Sequence, residues 1–396
     1  MKEVIALVAP PWWLIPSKNL LTATEHLVEE YAYNLSKCGY KNVIFAREKD
    51  DTDSYEKEDV NGFNNDYRYI PLGKMDRKYL AKMIGKSYRG SLFFYWIYIL
   101  RVSFKIRKMK ISQVVVFQTF TFCFWLKIIN PKLKLIYHIG NHELSKKSKY
   151  FNYEIISNET ARKVLPKIDY LIAVSDYLKQ GIIERFPELS NRCVVVYPGI
   201  DLNIFKSKWE NGSSREKIIM YAGRVVPDKG IHVLVEAFKM LKRDIPDIKL
   251  QIYGMDIGPN VQENYLSQLK DDAVELLGLY PRKEIAEVLR KAAIFVYPVI
   301  WEEALGLAPL EAMTVGVPVI VSDVKSGYSE FINNHNGFYF NTGDSVQLKD
   351  IMKKILEEPE RQHDIGCNAR ETIKTRLSWR QCVEKTVQYL EEDKYE

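Results

Sequence analysis

Short apolar runs alternate with amphipathic segments along the chain. The first run, in "EVIALVAP", has the length of a buried strand and ends at Pro-Pro. The next segment, "TATEHLVEEYAYNLSKCGY", spaces its apolar residues as a helix does, and "KNVIFA" again has the character of a strand. A strand, a helix and a second buried strand predict a β-α-β unit, which implies a parallel sheet.

The same alternation continues through both halves of the chain. In the first half it predicts further strands at "SQVVVF", "LKLIYHI" and "DYLIAVS", and after "RCVVVYPGIDLNIF" the pattern starts again. The strands predicted in the second half are "KIIMYAG", "IKLQIYG", "AIFVYPV" and "PVIVSD". Ligands of such sheets bind at the carboxyl ends of the strands. We therefore expect an α/β fold of two facing Rossmann-like units with a cleft between them.

The hinge between the units is predicted near Gly199–Lys206, where Pro198-Gly199 breaks a strand. Residues 1–199 then form the amino-terminal unit and residues 200–377 the carboxyl-terminal unit. The last helical segment, "SWRQCVEKTVQYLEE", is long enough to leave its own unit. We expect residues from about 378 to 396 to cross back to the first unit.

Composition and cysteine usage exclude several classes of protein. Of the 396 residues, 46% are hydrophobic and 27% are charged, with 20 Gly and 16 Pro, which excludes disordered, collagen-like and coiled-coil proteins. Apolar runs fall short of the roughly 18–20 residues that span a bilayer, and the first segment lacks a small-residue cleavage site, so we expect neither export nor membrane spanning. The five cysteines form no C-x-x-C pair, which favours a reducing cytosol over disulfides or a zinc site.

Positive charge is concentrated in the first half. Residues 1–200 contain 31 Lys+Arg and 20 Asp+Glu, whereas the whole chain has a net charge of only +6. The stretch from Lys74 to Lys149 holds 17 basic and 2 acidic residues, which indicates an anionic, phosphate-bearing partner. No helix-turn-helix, zinc-finger or RNA-binding signature accompanies it, so we expect no nucleic acid partner.

One segment of this basic stretch, "KSYRGSLFFYWIYILRVSFKIRKMK", sets apolar and aromatic residues between basic flanks. It is too short to span a bilayer. One interpretation is an interfacial helix on an anionic membrane surface, with its aromatics in the headgroup region. The other is a core helix with a solvated basic end, and the sequence leaves both open.

The strongest candidate chemistry lies in "EEALGLAPLEAMTVGVPVIVSD". Glu303 and Glu311 stand eight residues apart across a predicted strand-to-helix junction, too far apart for the paired carboxylates of a retaining glycosidase. A helix that begins near Leu307 would point free N–H groups and the positive end of its dipole into the cleft, which suits a phosphate. Glu311 would then accept hydrogen bonds from ribose hydroxyls, and Glu303 would reach the group beyond the phosphate. Alternatively, both are ordinary first-turn partners of the helix dipole.

A second motif, "YAGRVVPDKG", places two cations after a predicted strand. Arg224 and Lys229 would lie at the carboxyl end of the first strand of the second unit. Arginine offers a bidentate fork and lysine a point charge, so together they suit a departing diphosphate. Taken alone, the motif is also compatible with two surface cations on a loop.

These segments together resemble the retaining glycosyltransferases of family 4, which have the two-domain GT-B fold. The resemblance implies that Arg224 and Lys229 bind the donor diphosphate, that Glu311 binds the ribose and that Glu303 contacts the donor sugar. It also implies acceptor binding by the first unit and nucleotide-sugar binding by the second. The amides implied to hold the phosphate are those of Leu305, Gly306 and Leu307. The matching segments, within residues 165–390, are "DYLIAVSDYL", "VVVYPGIDLNIF", "YAGRVVPDKG", "LQIYGMD", "IFVYPVIWEEALGLAPLEAMTVGVPVIVSD", "SGYSEFI" and "LSWRQCVEK".

The amino-terminal half matches the family more loosely. The family commonly has Gly-Gly before the glutamate that corresponds to Glu25, and this chain has "NLLTATE" there, so "WWLIPSKNLL" is expected to shape the acceptor pocket instead. "YHIGNHEL" offers His138 and His142 where family members often have a histidine that faces the donor sugar. Which of the two serves stays open, as does a purely structural role for either.

The segment Asp50–Asp53, "DDTD", is similar to the D-x-D metal motif of the other large glycosyltransferase fold, but it lies in an acidic, turn-rich segment. Because the GT-B arrangement uses cations and a helix dipole instead, we expect no metal and no cofactor.

The resulting prediction is a cytoplasmic, retaining, metal-independent hexosyltransferase that moves a sugar from a nucleotide-sugar, such as a UDP- or GDP-sugar, to a glycan or lipid-linked acceptor. Its expected process is the synthesis of cell-surface polysaccharide or glycoconjugate. If the interfacial-helix interpretation holds, the protein is peripheral on the cytoplasmic membrane face. The alternatives are a catalytically silent GT-B sugar-binding scaffold and a GT-B enzyme that acts on a small soluble phosphorylated acceptor.

Overall fold

The computed structural model describes residues 4–10, 23–47, 66–70, 88–145, 155–206, 215–254, 265, 267, 269 and 271–392. The predicted acceptor segment "WWLIPSKNLL", the acidic segment Asp50–Asp53 and residues 74–87 and 146–149 of the basic stretch lie outside these residues.

The first half of the chain forms a seven-stranded sheet in which every pair of neighbouring strands is parallel. Its order is β3-β2-β1-β4-β5-β6-β7. The strands are β1 (Ile5–Val8), β2 (Asn42–Arg47), β3 (Asp66–Ile70), β4 (Gln113–Phe117), β5 (Lys134–Ile139), β6 (Tyr170–Ala173) and β7 (Cys193–Val195). The helices that accompany them are α1 (Ala23–Lys37), α2 (Tyr88–Lys108), α3 (Phe120–Ile129), α4 (Asn158–Val164) and α5 (Asp176–Arg185).

The second half forms a six-stranded sheet that is also parallel throughout, in the order β10-β9-β8-β11-β12-β13. Its strands are β8 (Glu216–Ala222), β9 (Lys249–Tyr253), β10 (Val274–Gly278), β11 (Ala292–Tyr297), β12 (Val319–Ser322) and β13 (Phe338–Phe340). The helices are α6 (Ile231–Asp244), α7 (Arg282–Lys291), α8 (Leu307–Val315), α9 (Ser345–Glu357), α10 (Pro359–Arg376) and α11 (Trp379–Glu391).

Helices cover the central strands of both sheets. All residues of β1 and of β11 are buried, as expected for parallel strands that pack against helices on both faces. The predicted α/β fold with two parallel sheets is confirmed.

The last helix returns to the first sheet, as predicted. α11 begins at a capping box in which Ser378 and Gln381 each satisfy the backbone of the other. Its buried face joins the apolar cluster on one side of the first sheet, where the Tyr31 hydroxyl lies 3.3 Å from Thr386 Oγ1. The residues that α11 contributes to that cluster are Cys382, Val383, Val387 and Leu390. The boundaries at 199/200 and 377/378 stay predictions.

Helix α2 has one buried face and one exposed face. Tyr98, Val102 and Ile106 are buried in the core beside α3. On the opposite face Trp96 is 41% exposed and Phe104 is 60% exposed. Among the described residues, no helix is both long enough and apolar enough to cross a membrane. Each interpretation of this segment therefore applies to one face of the helix. The buried face packs in the core, and the opposite face carries exposed aromatic residues.

Candidate active site

A cavity of about 550 Å³ lies between the two sheets. Gln118 and Gly140, which follow β4 and β5, line it from the first sheet, and the loops after β8 and β11 line it from the second. This is the position expected of a ligand site in parallel sheets. The predicted site residues that line this cavity are Arg224, Lys229, Glu303, Leu305, Gly306, Leu307 and Glu311.

Lys229 and Glu303 form a buried ion pair in the wall of the cavity. Lys229 ends a short turn that follows β8, and the carbonyl of Asp228 in that turn accepts a hydrogen bond from the Ile300 amide at 3.0 Å. This bond ties the loop after β8 to the loop after β11. The ammonium of Lys229 contacts Oε1 of Glu303, and the Lys229 side chain is only 7% exposed.

Aromatic side chains complete the environment of this pair. The Trp301 indole donates to Glu303 Oε1 at 2.7 Å, and the Tyr297 hydroxyl donates to the same oxygen at 3.2 Å. The Lys229 ammonium also lies 4.8 Å from the centre of the Trp301 ring, within the range of a cation–π contact.

Burial and ion pairing shift the pKa of each of these two residues in opposite directions. Burial lowers the pKa of Lys229 below its usual value, although the Glu303 carboxylate opposes this shift. Burial alone would raise the pKa of Glu303, but Lys229 and the donors from Trp301 and Tyr297 outweigh it, so this pKa is lowered. Glu303 is therefore an ionised carboxylate at neutral pH.

Arg224 supplies a second cation at the mouth of the cavity. It follows β8, and unlike Lys229 it is exposed. Its guanidinium lies 5.5 Å from the centre of the Trp301 ring. Arg224 and Lys229 therefore share Trp301 as an aromatic neighbour. Lys229 is buried in the cavity wall, and Arg224 is open to solvent.

Helix α8 presents an uncapped amino terminus to the cavity. It begins at Leu307, as the sequence predicts, and its N-cap residue Gly306 has no side chain with which to cap it. Gly306 has a φ of +80°, and an added Cβ would lie 2.7 Å from Cδ1 of Tyr328. Since the first N–H groups of a helix lack partners within it, this wall offers donors for an anion.

The carboxylate of Glu311, in the second turn of α8, contacts the guanidinium of Arg282. Arg282, which no sequence motif indicated, also lines the cavity and lies 5.2 Å from the centre of the Phe205 ring. A signal was present, because Arg282 is the first residue of α7, and a cation at a helix amino terminus is unfavourable unless an anion offsets it.

Neither predicted histidine lines the cavity. His138 is fully buried in β5, with its ring 5.1 Å from that of Phe117 and 5.4 Å from that of Tyr31, and burial lowers its pKa to about 3. His142 is also buried, 5.7 Å from the ring of Tyr177, and burial lowers its pKa to about 4. The packing favours a core role for His138, and the catalytic assignment of either histidine stays a prediction.

In the part of the chain that the structure describes, no three side chains of His, Cys, Asp or Glu lie together in a group that could hold a metal ion.

Two family models match adjoining parts of the chain. The model described as Glycosyltransferase Family 4 matches residues 24–204, and the model described as Glycosyl transferases group 1 matches residues 203–372. Together they span residues 24–372, which include the whole second sheet and the strands β2 to β7 of the first.

Curated relatives and a solved structure are similar to more than half of this chain. Spore coat protein SA of Bacillus subtilis is 26% identical over 67% of this chain and 76% of its own length. Lipopolysaccharide 1,2-N-acetylglucosaminetransferase of Salmonella typhimurium is 25% identical over 96% of this chain and 95% of its own. Several other curated relatives are matched over only about half of their length. The structure of Anabaena HepE in complex with UDP-glucose has a TM-score of 0.72 at 15% identity and covers 98% of this chain and 99% of its own, which confirms the two-domain fold.

The buried position of His138 predicts a pH dependence of stability. The unfolded chain binds a proton near pH 6.5 and the folded chain only near pH 3, so stability falls as the pH drops below 6.5. Between pH 7 and pH 5 this group accounts for a loss of roughly 2 kcal/mol. His138→Phe should lessen the acid sensitivity by that amount in urea titrations at the two pH values.

The matched control is His335→Phe, which makes the same change at an exposed position outside the core, so the difference between the two variants isolates the effect of burial. An unchanged pH dependence in His138→Phe would contradict the buried position of the ring.

Proposed function

Since this chain belongs to the family 4, group 1 glycosyl transferases, we propose that it is a retaining, metal-independent enzyme that moves a sugar from a nucleotide-sugar donor to a glycan or lipid-linked acceptor. The observation that carries the proposal is the shared wall of the cavity. Arg224, Lys229, Glu311 and the uncapped amino terminus of α8 all lie on it.

The cations and the helix terminus suit the leaving group of this reaction. As the bond between sugar and diphosphate breaks, negative charge grows on the phosphate, and fixed donors stabilise that charge without reorganising. Arg224 is open to solvent and meets the incoming diphosphate first. Lys229 is paired with Glu303, and the phosphate would share this buried cation. These residues take the place that a divalent ion has in other transferases.

The two glutamates have different tasks in this proposal. Glu311 accepts hydrogen bonds from the ribose hydroxyls, with Arg282 holding its carboxylate from the other side. Glu303 contacts the hydroxyls of the donor sugar. We favour attack of the acceptor on the same face that the diphosphate leaves, with the acceptor proton passing to the leaving phosphate oxygen.

The biological process that we propose for the enzyme is inferred from a relative, and two alternative functions stay open. The Salmonella relative is named for lipopolysaccharide synthesis, and we extend a role in cell-surface polysaccharide or glycoconjugate synthesis to this chain. The alternatives are a silent sugar-binding scaffold and an enzyme for a small phosphorylated acceptor. Screening UDP-, GDP- and ADP-sugars for thermal stabilisation, followed by assays of nucleotide release, separates a silent protein from an active one.

The exposed face of α2 supports a peripheral position on the cytoplasmic membrane face. Trp96 and Phe104 are exposed there, and Trp96 lies against Trp125 of α3 with ring centres 3.9 Å apart. Exposed basic residues share this face with the aromatics, which is the combination that favours anionic lipid surfaces. These basic residues are Arg101, Lys105, Arg107 and Lys108.

The diphosphate assignment predicts that Arg224→Ala and Lys229→Ala each lower turnover by roughly 100- to 1,000-fold, as removal of a preorganised charge donor does. Arg224 is exposed, so its replacement tests the charge without disturbing the core. Arg243→Ala, an exposed cation at the end of α6, is the matched control. Near-normal turnover of both variants would refute the diphosphate assignment.

Metal independence predicts that wild-type turnover persists in excess EDTA. Loss of turnover on chelation that manganese restores would refute it.

The division between the glutamates predicts opposite patterns in binding and turnover. Glu311→Gln should weaken the binding of free UDP or GDP, because the ribose contact needs no sugar. Glu303→Gln should leave the affinity for the free nucleotide near that of the wild type and should lower kcat. Calorimetry with UDP and GDP, combined with steady-state kinetics, measures both quantities. An equal loss of nucleotide affinity in the two variants would show that the roles are divided wrongly.

The membrane proposal predicts that the protein floats with anionic liposomes but not with neutral ones, and less so at high salt. Changing Arg101, Lys105 and Lys108 to Glu should weaken the association by at least about 100-fold, since each basic residue near an anionic leaflet contributes about 1 kcal/mol. The same charge change at Lys291, Lys325 and Lys354, which are exposed on the second unit, is the control. A wild type that ignores anionic liposomes would remove the support for a lipid-linked acceptor.

A further inference from the structure

The amino end of α5, which belongs to the first unit, contacts the chain on both sides of Glu303. The Tyr177 hydroxyl donates to Oε2 of Glu302 at 2.7 Å. The hydroxyl of Ser175, a fully buried N-cap residue, donates to the carbonyl of Ala304. Glu303 therefore lies between two residues that the opposite unit holds.

The second unit supports the same segment from behind. The Gly327 amide donates to the carbonyl of Glu303 at 3.1 Å. A Cβ added to Gly327 would lie 2.4 Å from the Ala304 carbonyl oxygen and 2.7 Å from Cβ of Ser175, so only glycine allows this approach. The backbone at Glu303 is thus confined between Gly327 and Ser175.

A carboxylate from the second unit fixes α5 in this position. Glu330 accepts hydrogen bonds from the backbone amides of Asp176, at 3.2 Å, and Tyr177, at 2.9 Å, which are the first two residues of the helix. It also accepts from the Tyr197 hydroxyl at 2.6 Å. A carboxylate at a helix amino terminus is favourable for both hydrogen bonding and the helix dipole. The orientation of Ser175 and Tyr177 therefore depends on the docking of the two units.

We propose that Ser175 and Tyr177 are positioning residues that hold Glu303 in its productive place only while the two units are docked. The inference rests on the proposed function, because it assigns these residues to the placement of the carboxylate that contacts the donor sugar.

The need for such a support follows from the partners of Glu303. Lys229 anchors its carboxylate. When a diphosphate shares Lys229, that anchor weakens, and the donors from Trp301 and Tyr297 and the backbone contacts of this segment remain. The donor sugar then meets a carboxylate whose backbone is held in part by the opposite unit. Misplacement of a reacting group by about 1 Å can lower a rate by about 100-fold, so a small loss of support has a large effect.

Tyr177→Phe tests this role because it removes a single hydroxyl and keeps the ring against His142. The matched control is Tyr170→Phe, which removes another tyrosine–glutamate hydrogen bond, 2.8 Å long and made to Glu392, that involves neither residues 302–304 nor Glu330. We expect Tyr177→Phe to lower kcat by roughly 10- to 100-fold. The affinity for free UDP or GDP should stay within about twofold of the wild type, because the ribose and diphosphate contacts remain. Combining Tyr177→Phe with Glu302→Ala should add little to either single change, since both remove the same bond.

Hydrogen exchange on the ligand-free protein provides a readout that needs no substrate. The Gly327 amide, bonded to the Glu303 carbonyl, should exchange faster in Tyr177→Phe than in the wild type, and no faster in Tyr170→Phe. Equal exchange in the wild type and Tyr177→Phe, or the same effects in Tyr170→Phe, would overturn the inference. A wild type that binds and turns over no nucleotide sugar would refute the proposed function instead, and the exchange comparison would still decide whether the segment is held across the junction.

Discussion

The buried ion pair of Lys229 and Glu303 is the interaction that the rest of the site depends on. Taking two charges out of water costs several kcal/mol for each, and this cost is recovered only if the two meet with good geometry. They can meet because β8 and β11, whose carboxyl-end loops carry them, are neighbours in the second sheet. The order of the strands is therefore a requirement of the chemistry, and the surrounding rings of Tyr297 and Trp301 keep the pair out of water.

Local sequence patterns predicted the central strands, because burial on both faces leaves a continuous apolar run. They also predicted the start of α8. The strands that the patterns missed are edge strands of the two sheets, β3, β10 and β13. An edge strand has one neighbour, so its sequence mixes polar and apolar residues, as "VELLG" in β10 does. The return of α11 was predictable because the length of the segment and its position after the second unit were both visible.

The candidate site was also predictable only in part, because some of its features lie in local motifs and others depend on contacts between distant segments. Arg224, Lys229, Glu303 and Glu311 lie in contiguous motifs, and their shared cavity follows from strand order. The contact of Ser175 with Ala304 joins residues 129 positions apart and depends on how the two units dock, which no local pattern encodes. The burial of His138 among aromatic rings is likewise a matter of packing, since a histidine at a strand end has the same local sequence whether it faces core or cleft.

The return of α11 to the first sheet has a consequence for synthesis on the ribosome. The apolar cluster of Leu7, Tyr31 and Phe117 is closed by side chains of α11, so its surface stays uncovered until that helix has been made. Within the described ranges, the core that includes the second sheet takes no buried side chain from beyond Leu377, so this unit can fold as it emerges. Translation therefore exposes a nascent amino-terminal unit that waits for α11, a species to which chaperones have access, and loss of α11 would damage the unit made first.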